Sequence, residues 1–213
     1  TVLEGLEPVR KRPAMYIGST DSRGLHHLVW EVLDNAVDEA LNGYCTAITL
    51  RIEKDGGITV TDNGRGIPVD IHPKTKRPAI ETILCTLHAG GKFDHTAYRS
   101  SGGLHGVGAS VVNALAEVFK ARVWRDGYEW TQDFSRGKPK GNLKKGKATK
   151  AHGTEIYFKP DTDIFSKTTF NAKTILDDMA AILPVREGQH VFGPVARIGW
   201  GQPVLIEVKL GLV

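Results

Sequence analysis

Four polar side chains recur on one side of the strongest helical pattern in the sequence, residues 24–43. His27, Glu31, Asn35 and Asp38 lie opposite the apolar residues when the segment is drawn at about 100° per residue. A solvated helix face is one interpretation of this stripe. The segment has no Lys or Arg, however, and amide and carboxylate oxygens are ligands for Mg²⁺. Because a carboxylate beside a His can also act as general base on water, the stripe fits a metal–phosphate site as well.

The segment DNGRGIP, residues 62–68, follows a predicted strand. Asn-Gly is a common turn dipeptide, so a tight turn is one interpretation. Glycines also let another molecule approach the backbone closely. Asp62 would then present an acceptor to a donor such as an exocyclic amine. The residues alone leave both interpretations open.

A glycine-rich segment, residues 102–108, lies immediately before a predicted helix. Its bare backbone N–H groups at a helix N-terminus suit a phosphate, while a flexible lid or linker is the other interpretation. The G-x-G-x-x-G pattern of dinucleotide-binding folds is absent from the sequence. Residues 141–148 resemble a Walker A loop, but Ala148 replaces the Ser or Thr that such a loop needs for Mg²⁺.

Composition favours a globular domain over a membrane-spanning or disulfide-stabilised protein. The chain has 213 residues, of which 40% are hydrophobic and 24% charged, as in ordinary globular domains. No apolar run is long enough to span a membrane. Cys45 and Cys85 lie far apart and form no CxxC motif, so neither a disulfide scaffold nor a thiolate metal site is expected. A reducing, cytoplasmic setting is therefore predicted.

Positive charge is concentrated in residues 136–150, which hold seven basic residues and no acid. The remainder keeps 21 of the 28 basic residues against 24 acidic ones, so the body is slightly acidic. A solvated hairpin connection is one interpretation of the basic segment. The other is a contact with the phosphate backbone of DNA, because clustered lysines release counterions on binding.

Helices and hairpins alternate without a βαβ rhythm, which predicts an α+β fold. We expect a two-layer sandwich whose mixed, mainly antiparallel sheet has helices on one face. A single domain over residues 1–213 is expected, because no linker divides the chain, and residues 8–18 are expected to be irregular because they contain two prolines. The predicted elements are helices at 24–43, 80–88, 109–118 and 171–183, and strands at 47–53, 57–61, 118–124, 128–134, 154–158 and in the final segment.

Four sequence blocks resemble a known family when taken in order: EVLDNAVDEA at 31–40, DNGRGIP at 62–68, GGKFD to SGGLHGVGASVVNALA within 90–116, and HGT at 152–154. Together they are similar to the ATP-binding domains of the GHKL superfamily and, within it, to the gyrase B family of bacterial type II topoisomerases. The equivalent component of topoisomerase IV is the near alternative. The resemblance runs from about residue 2 to about residue 165 and implies the Bergerat form of the two-layer sandwich.

The resemblance implies a role for each residue of the helix stripe. Glu31 would be the general base that activates the attacking water, and His27 would help to orient it. Asn35 would ligate the Mg²⁺ that bridges the triphosphate, so ATP and Mg²⁺ are the expected cofactors. Asp62 would accept a hydrogen bond from the adenine amino group, and Thr154 would share an ordered water there.

Other residues would line the nucleotide and the mouth of its pocket. Arg65 would pair with Glu39 at this mouth, where the resemblance also places Asp38. Arg125 matches a residue that aminocoumarin antibiotics contact in this family. The residues expected to hold the base and the phosphates are Gly66, Ile67, Pro68, Lys92, Tyr98, Gly103, Leu104, His105, Gly106, Val107 and Gly108.

The same resemblance implies the ATP-hydrolysing module of a type II topoisomerase that supercoils DNA negatively. Mg-ATP would close a dimer clamp and hydrolysis would reset it. The expected partners are ATP or an ATP-competitive inhibitor and, in the full-length protein, DNA, a second copy and gyrase A; no membrane is expected. The sequence lacks the family's N-terminal arm, transducer domain and toprim domain, so we expect binding of ATP and inhibitors with weak hydrolysis. Residues 180–213 depart from the family's pattern.

Two other classes of protein remain open. A chaperone or mismatch-repair ATPase of the same superfamily would share Glu31 and Asn35, but should not combine GGKFD with SGGLHGVGASVVNAL. A non-enzymatic DNA-binding module built on residues 136–150 would bind DNA in a salt-sensitive way without any dependence on nucleotide.

Overall fold

One mixed sheet organises the molecule. The computed structural model describes residues 5–87, 108–182, 195–197 and 203–210. Within these ranges, residues 179–182, 195–197 and 203–210 are described by their backbone alone. The strands are β1 Ala47–Ile52, β2 Ile58–Asp62, β3 Ala116–Arg125, β4 Tyr128–Ser135, β5 Lys138–Pro139, β6 Lys144–Ala148, β7 Gly153–Pro160, β8 Val195–Arg197 and β9 Pro203–Leu210. Their order is β5-β4-β3-β7-β2-β1-β9-β8, and β6 also pairs with β4. Among these pairs β1 and β9 are parallel and the others antiparallel.

The sheet has one apolar face and one solvated face. Along β3, Phe119, Ala121 and Val123 are buried, whereas Lys120 and Arg122 between them are exposed. This period of two is typical of an antiparallel sheet that is covered on one side. Helices cover the apolar side, and the predicted α+β sandwich is confirmed.

Six helices accompany the sheet in the described residues: α1 Glu7–Lys11, α2 Ala14–Ile17, α3 Ser22–Leu41, α4 Ala79–Cys85, α5 Gly108–Ala114 and α6 Ala172–Ile182. The central helix, α3, begins after Asp21, whose side chain accepts a hydrogen bond from the backbone N–H of Arg23. It stops before Gly43, which adopts a positive φ of 79°. The predicted helix at 24–43 is therefore confirmed.

Three segments differ from the sequence-based prediction. Residues 8–18, expected to be irregular, contain α1 and α2, because Pro8 lies in the first turn of α1, where no N–H donor is needed. The helix predicted over 109–118 ends at Ala114, and β3 begins two residues later. The basic segment 136–150 is only partly a loop, since it contributes β5 and β6 to the sheet edge.

Both cysteines are free thiols, Cys45 buried and Cys85 partly buried. Among the described residues, no helix combines the length and apolarity needed to cross a membrane. The single-domain prediction stays a prediction.

Candidate functional site

The helix stripe meets the start of α5 through Glu31. This carboxylate is only 8% exposed. Its Oε1 lies 3.0 Å from Nε2 of His27, one turn earlier on α3. Its Oε2 accepts a hydrogen bond of 2.9 Å from the backbone N–H of Gly108, the first residue of α5. The solvated-face interpretation is therefore wrong for Glu31. Its partner Gly108 is 77 positions away in sequence.

Asn35 lies one turn after Glu31 and is exposed. Its amide Nδ2 donates to the backbone carbonyl of Glu31 at 2.9 Å. Because the nitrogen is used in this bond, the carbonyl oxygen Oδ1 is the end of the amide left to accept or ligate. A hard oxygen donor on an exposed helix face suits Mg²⁺. In the described part of the chain, no group of three His, Cys, Asp or Glu side chains could hold a metal by itself.

Asp62 ends β2 at the other end of the site, opposite Thr154 of β7. Burial raises the pKa of Asp62 to about 6, although the backbone N–H of Gly64 favours the charged form with a bond of 2.8 Å to Oδ1. The hydroxyl of Thr154 accepts from the backbone N–H of Ile67 at 3.2 Å. The strand pairing thus brings together the two residues that the family resemblance assigns to the adenine.

Glu39 connects the helix stripe to this end of the site. It lies two turns after Glu31 on the same face of α3, and the two are separated by about 12 Å at the helical rise. The ion pair predicted for Glu39 is present, since Arg65 donates from Nη2 to Oε1 at 2.7 Å and from Nε to Oε2 at 3.1 Å. The negative charge of Glu39 also helps to raise the pKa of Asp62. One face of α3 therefore runs from the start of α5 to the carboxylate at the end of β2.

Gly66 is enclosed in a way that explains its residue type. Its φ is +78°, and a Cβ there would lie 3.0 Å from the carbonyl oxygens of Gly153 and Trp124. The carbonyl of Gly66 accepts a hydrogen bond of 2.7 Å from Nη1 of Arg125. Arg125 is thus fixed against the DNGRGIP segment. Ile67 and Pro68, the next residues of that segment, are both half-buried.

A cavity of about 700 Å³ opens beside these residues. Arg65 lies on one side with its guanidinium 3.8 Å above the ring of Tyr44. His152 lies on another side, and its Nδ1 is 2.8 Å from the carbonyl oxygen of Gly64. The lining comprises Tyr44, Gly64, Arg65, Arg125, Asp126, Gly127, Thr149, Lys150, Ala151 and His152.

Sequence reasoning missed several lining residues of this cavity. Tyr44 and residues 149–151 belong to no motif, and the family resemblance includes His152 only through the HGT block at 152–154. Asp38 and Glu39, which the family resemblance assigns to the inhibitor pocket, are not among the residues that line this cavity. Both lie half-buried on α3, and Glu39 contacts the lining residue Arg65. Seven other residues of the predicted site lie outside the described residues: Lys92, Tyr98, Gly103, Leu104, His105, Gly106 and Val107.

Asp34, also on α3, is a half-buried carboxyl whose charged form is disfavoured. Burial raises the pKa of Asp34 to about 6, and the charges of Glu31 and Asp38 add to the effect. A carboxyl with a raised folded-state pKa is ionised at a cost, so its ionisation lowers stability as pH rises from about 4 through about 6.

We therefore expect Asp34→Asn to raise Tm at pH 7.5 by about 2–4 °C, equivalent to about 1 kcal/mol after allowance for partial exposure. The gain should vanish at pH 4, where Asp34 is neutral as well. Calorimetric melting at the two pH values measures it. An equal gain at both values would show that charge is not the cause.

Residues 20–164 match the sequence profile of one family, the histidine kinase-, DNA gyrase B- and HSP90-like ATPases. The chain belongs to this family of ATPases. The membership predicted from the sequence blocks is thereby confirmed.

Individual members of the ATPase family give a finer comparison. The DNA gyrase B protein of Halalkalibacterium halodurans is 56% identical over 191 residues, which are 89% of this chain and 30% of that protein. The DNA gyrase B protein of Synechocystis is 62% identical over 168 residues, 77% of this chain and 15% of that protein. A crystal structure of the 43K ATPase domain of Thermus thermophilus gyrase B in complex with an aminocoumarin has a TM-score of 0.72 and 47% identity, covering 82% of this chain and 44% of that one. The chain thus spans a third or less of these two curated relatives.

Proposed function

We propose that this chain is the ATP-binding and ATP-hydrolysing module of a DNA gyrase B protein, in which Mg-ATP drives closure of a dimer clamp. The observation that carries the proposal is the arrangement of acidic side chains along α3. Glu31 lies near the start of α5, and Glu39 lies two turns later, near Asp62 at the end of β2. This arrangement offers a general base at one end and a partly buried acceptor for the adenine amino group at the other. By analogy with the gyrase relatives, the proposal includes negative supercoiling, the DNA, dimer and gyrase A partners, and a bacterial cytoplasmic setting.

The proton from the attacking water would pass to Glu31. His27 holds Oε1 of this carboxylate at 3.0 Å, and the N–H of Gly108 holds Oε2 at 2.9 Å, so both oxygens are oriented before substrate arrives. Fixed polar groups of this kind need no reorganisation during the reaction. Mg²⁺, when bound at Asn35, would neutralise charge on the phosphates. We assign further phosphate contacts to Lys92, Tyr98 and the backbone of residues 103–108.

The cavity beside Arg65 would receive ATP-competitive inhibitors of the aminocoumarin type. Its two guanidinium groups are held in place, Arg65 by Glu39 and Arg125 by the carbonyl of Gly66. A preorganised cationic wall reduces the entropy lost when an anionic or carbonyl-bearing ligand binds.

Replacement of Asp62 tests the proposed function. Asp62→Asn should weaken binding of a non-hydrolysable ATP analogue by about 10- to 100-fold, because a hydrogen bond to a charged acceptor contributes about 1.5–3 kcal/mol. Titration calorimetry at pH 7.5 measures the affinity. Asp70→Asn, an exposed carboxylate eight residues further along, is the matched control and should bind normally.

The pH dependence of affinity for the ATP analogue gives a second test of the role of Asp62. Affinity should fall as pH is lowered through about 6, because protonation removes the charge of Asp62. Asp62→Asn should depend less on pH than the unmodified chain, since the pH dependence of the nucleotide itself is common to both. Unchanged affinity in Asp62→Asn would refute the assignment of the adenine site.

A further inference from the structure

The outer edge of the sheet beyond β4 is formed by β5 and β6 and is strongly cationic. Six lysines lie on this edge and its flanks, and all are exposed: Lys138, Lys140, Lys144, Lys145, Lys147 and Lys150. On the neighbouring strand, Glu129 is engaged by the indole N–H of Trp124 at 3.3 Å, and Asp133 is exposed. We call β5, β6 and these lysines the basic edge.

Several cations elsewhere on the surface are neutralised by a carboxylate. Arg51, Arg77 and Lys159 each form an ion pair, with Glu53, Glu81 and Glu117 respectively. Within the described residues, none of the six lysines of the basic edge pairs with a carboxylate. The positive potential of the edge is therefore not cancelled locally, although the rest of the chain is slightly acidic.

One lysine of the edge is held in place by aromatic rings. Nζ of Lys145 lies 3.4 Å from the ring centroid of Tyr128 and 5.5 Å from that of Trp130. A cation fixed in this way loses less entropy on binding an anion than a mobile side chain does. The register places Lys145 opposite Trp130 and Lys144 opposite Thr131, so successive lysines point to opposite faces of the strand.

Lysines on an edge strand also prevent edge-to-edge pairing of sheets. That role accounts for one or two charges on β6, a strand of five residues. It does not account for Lys140 and Lys150, which lie outside both β5 and β6. A five-residue strand is about 17 Å long, and duplex DNA presents roughly ten phosphate charges over that length.

We propose that the basic edge is a contact surface for the phosphate backbone of duplex DNA. The choice of DNA among polyanions rests on the proposed function, whereas the cationic surface does not. Contacts of lysines with phosphates position DNA without reading its sequence. The basic edge would therefore bind duplexes of any sequence, with a strong dependence on salt.

The test is fluorescence anisotropy of a labelled 20-base-pair duplex with the chain, over 50–200 mM KCl. The variant Lys140→Gln, Lys144→Gln, Lys147→Gln keeps Lys145 on its rings. Loss of three phosphate contacts should reduce the slope of log affinity against log salt by about 2.7. The fourfold rise in salt should then weaken binding by the unmodified chain about 40-fold more than binding by the variant.

Controls separate this inference from the proposed function. The variant Lys54→Gln, Lys74→Gln, Lys167→Gln removes the same charge from exposed positions elsewhere and should retain the salt slope of the unmodified chain. Both triple variants should bind the ATP analogue normally, which also shows that they are folded. Absence of duplex binding by the unmodified chain, or equal losses in both triple variants, would overturn the inference. Tighter binding of a poly-glutamate peptide than of the duplex would do so as well.

Discussion

Glu31→Ala should slow ATP hydrolysis by about 10²- to 10⁴-fold, the range that a positioned general base contributes. Nucleotide should still bind, with only a modest change in affinity, because the adenine end of the site at Asp62 is left intact. The measurement is phosphate release under single-turnover conditions with the chain in excess over ATP, which resolves slow rates. Calorimetry with a non-hydrolysable analogue gives the affinity separately.

A second substitution separates the two functions of the Glu31 carboxylate. Glu31→Gln keeps a carbonyl oxygen that can accept from the N–H of Gly108, but it has no basicity. Both variants should therefore lose turnover, while only Glu31→Ala should also release the start of α5 and alter nucleotide affinity. Turnover by Glu31→Gln within a few-fold of the unmodified chain would exclude Glu31 as the base.

The two hairpins show what local sequence can predict. Lys54-Asp55-Gly56 and Asp126-Gly127 lie between runs of strand-forming residues, and Asp126 and Gly127 both adopt positive φ, of 54° and 79°. That conformation matches the right-handed twist of the flanking strands, so the turn residues nearly determine the pairing. The stripe on α3 was predictable for a similar reason, because helical periodicity alone places its members together.

Contacts between distant segments were not predictable from residue patterns. The bond from Gly108 to Glu31 joins positions 77 apart, and no periodicity relates them. Strand β6 was missed because lysine and glycine have low β-propensity, so its conformation is set by pairing with β4. The Arg65–Glu39 pair, 26 positions apart, was predicted only through the family resemblance.

Asp161 forms two ion pairs, with Arg10 and Arg136, that no sequence pattern indicates. Its carboxylate is fully buried and meets Nη2 of Arg10 at 2.7 Å and Nε of Arg136 at 2.8 Å. Arg10 also donates to the carbonyl of Ala114, the last residue of α5, at 2.7 Å. One buried carboxylate thereby ties α1 and the end of α5 to the turn that follows β7. Helix α5 therefore contacts Glu31 through its first residue, Gly108, and is held by Arg10 at its last residue, Ala114.

We expect Asp161→Ala to lower the free energy of unfolding by about 3 kcal/mol, because removal of one partner leaves the other charges without compensation. The value is at the low end of the usual range because the side chains of Arg10 and Arg136 are 22% and 48% exposed and can regain water. Urea unfolding at pH 7 measures the change. Asp163→Ala is the matched control, since its 64% exposed carboxylate pairs with the same Arg136 and should contribute less than about 1 kcal/mol.

The pH dependence of this loss identifies its origin. Burial alone would raise the pKa of Asp161, but the N–H of Asp163 and the guanidinium of Arg10 outweigh it and lower the pKa below its usual range. A lowered pKa gives stability that is present above the ordinary value of about 3.8 and is lost as pH falls through the folded-state value. The difference between the unmodified chain and Asp161→Ala should therefore be full at pH 7 and shrink in acid. A difference that stayed constant down to pH 3 would mean that lost packing, not lost charge, destabilises the variant.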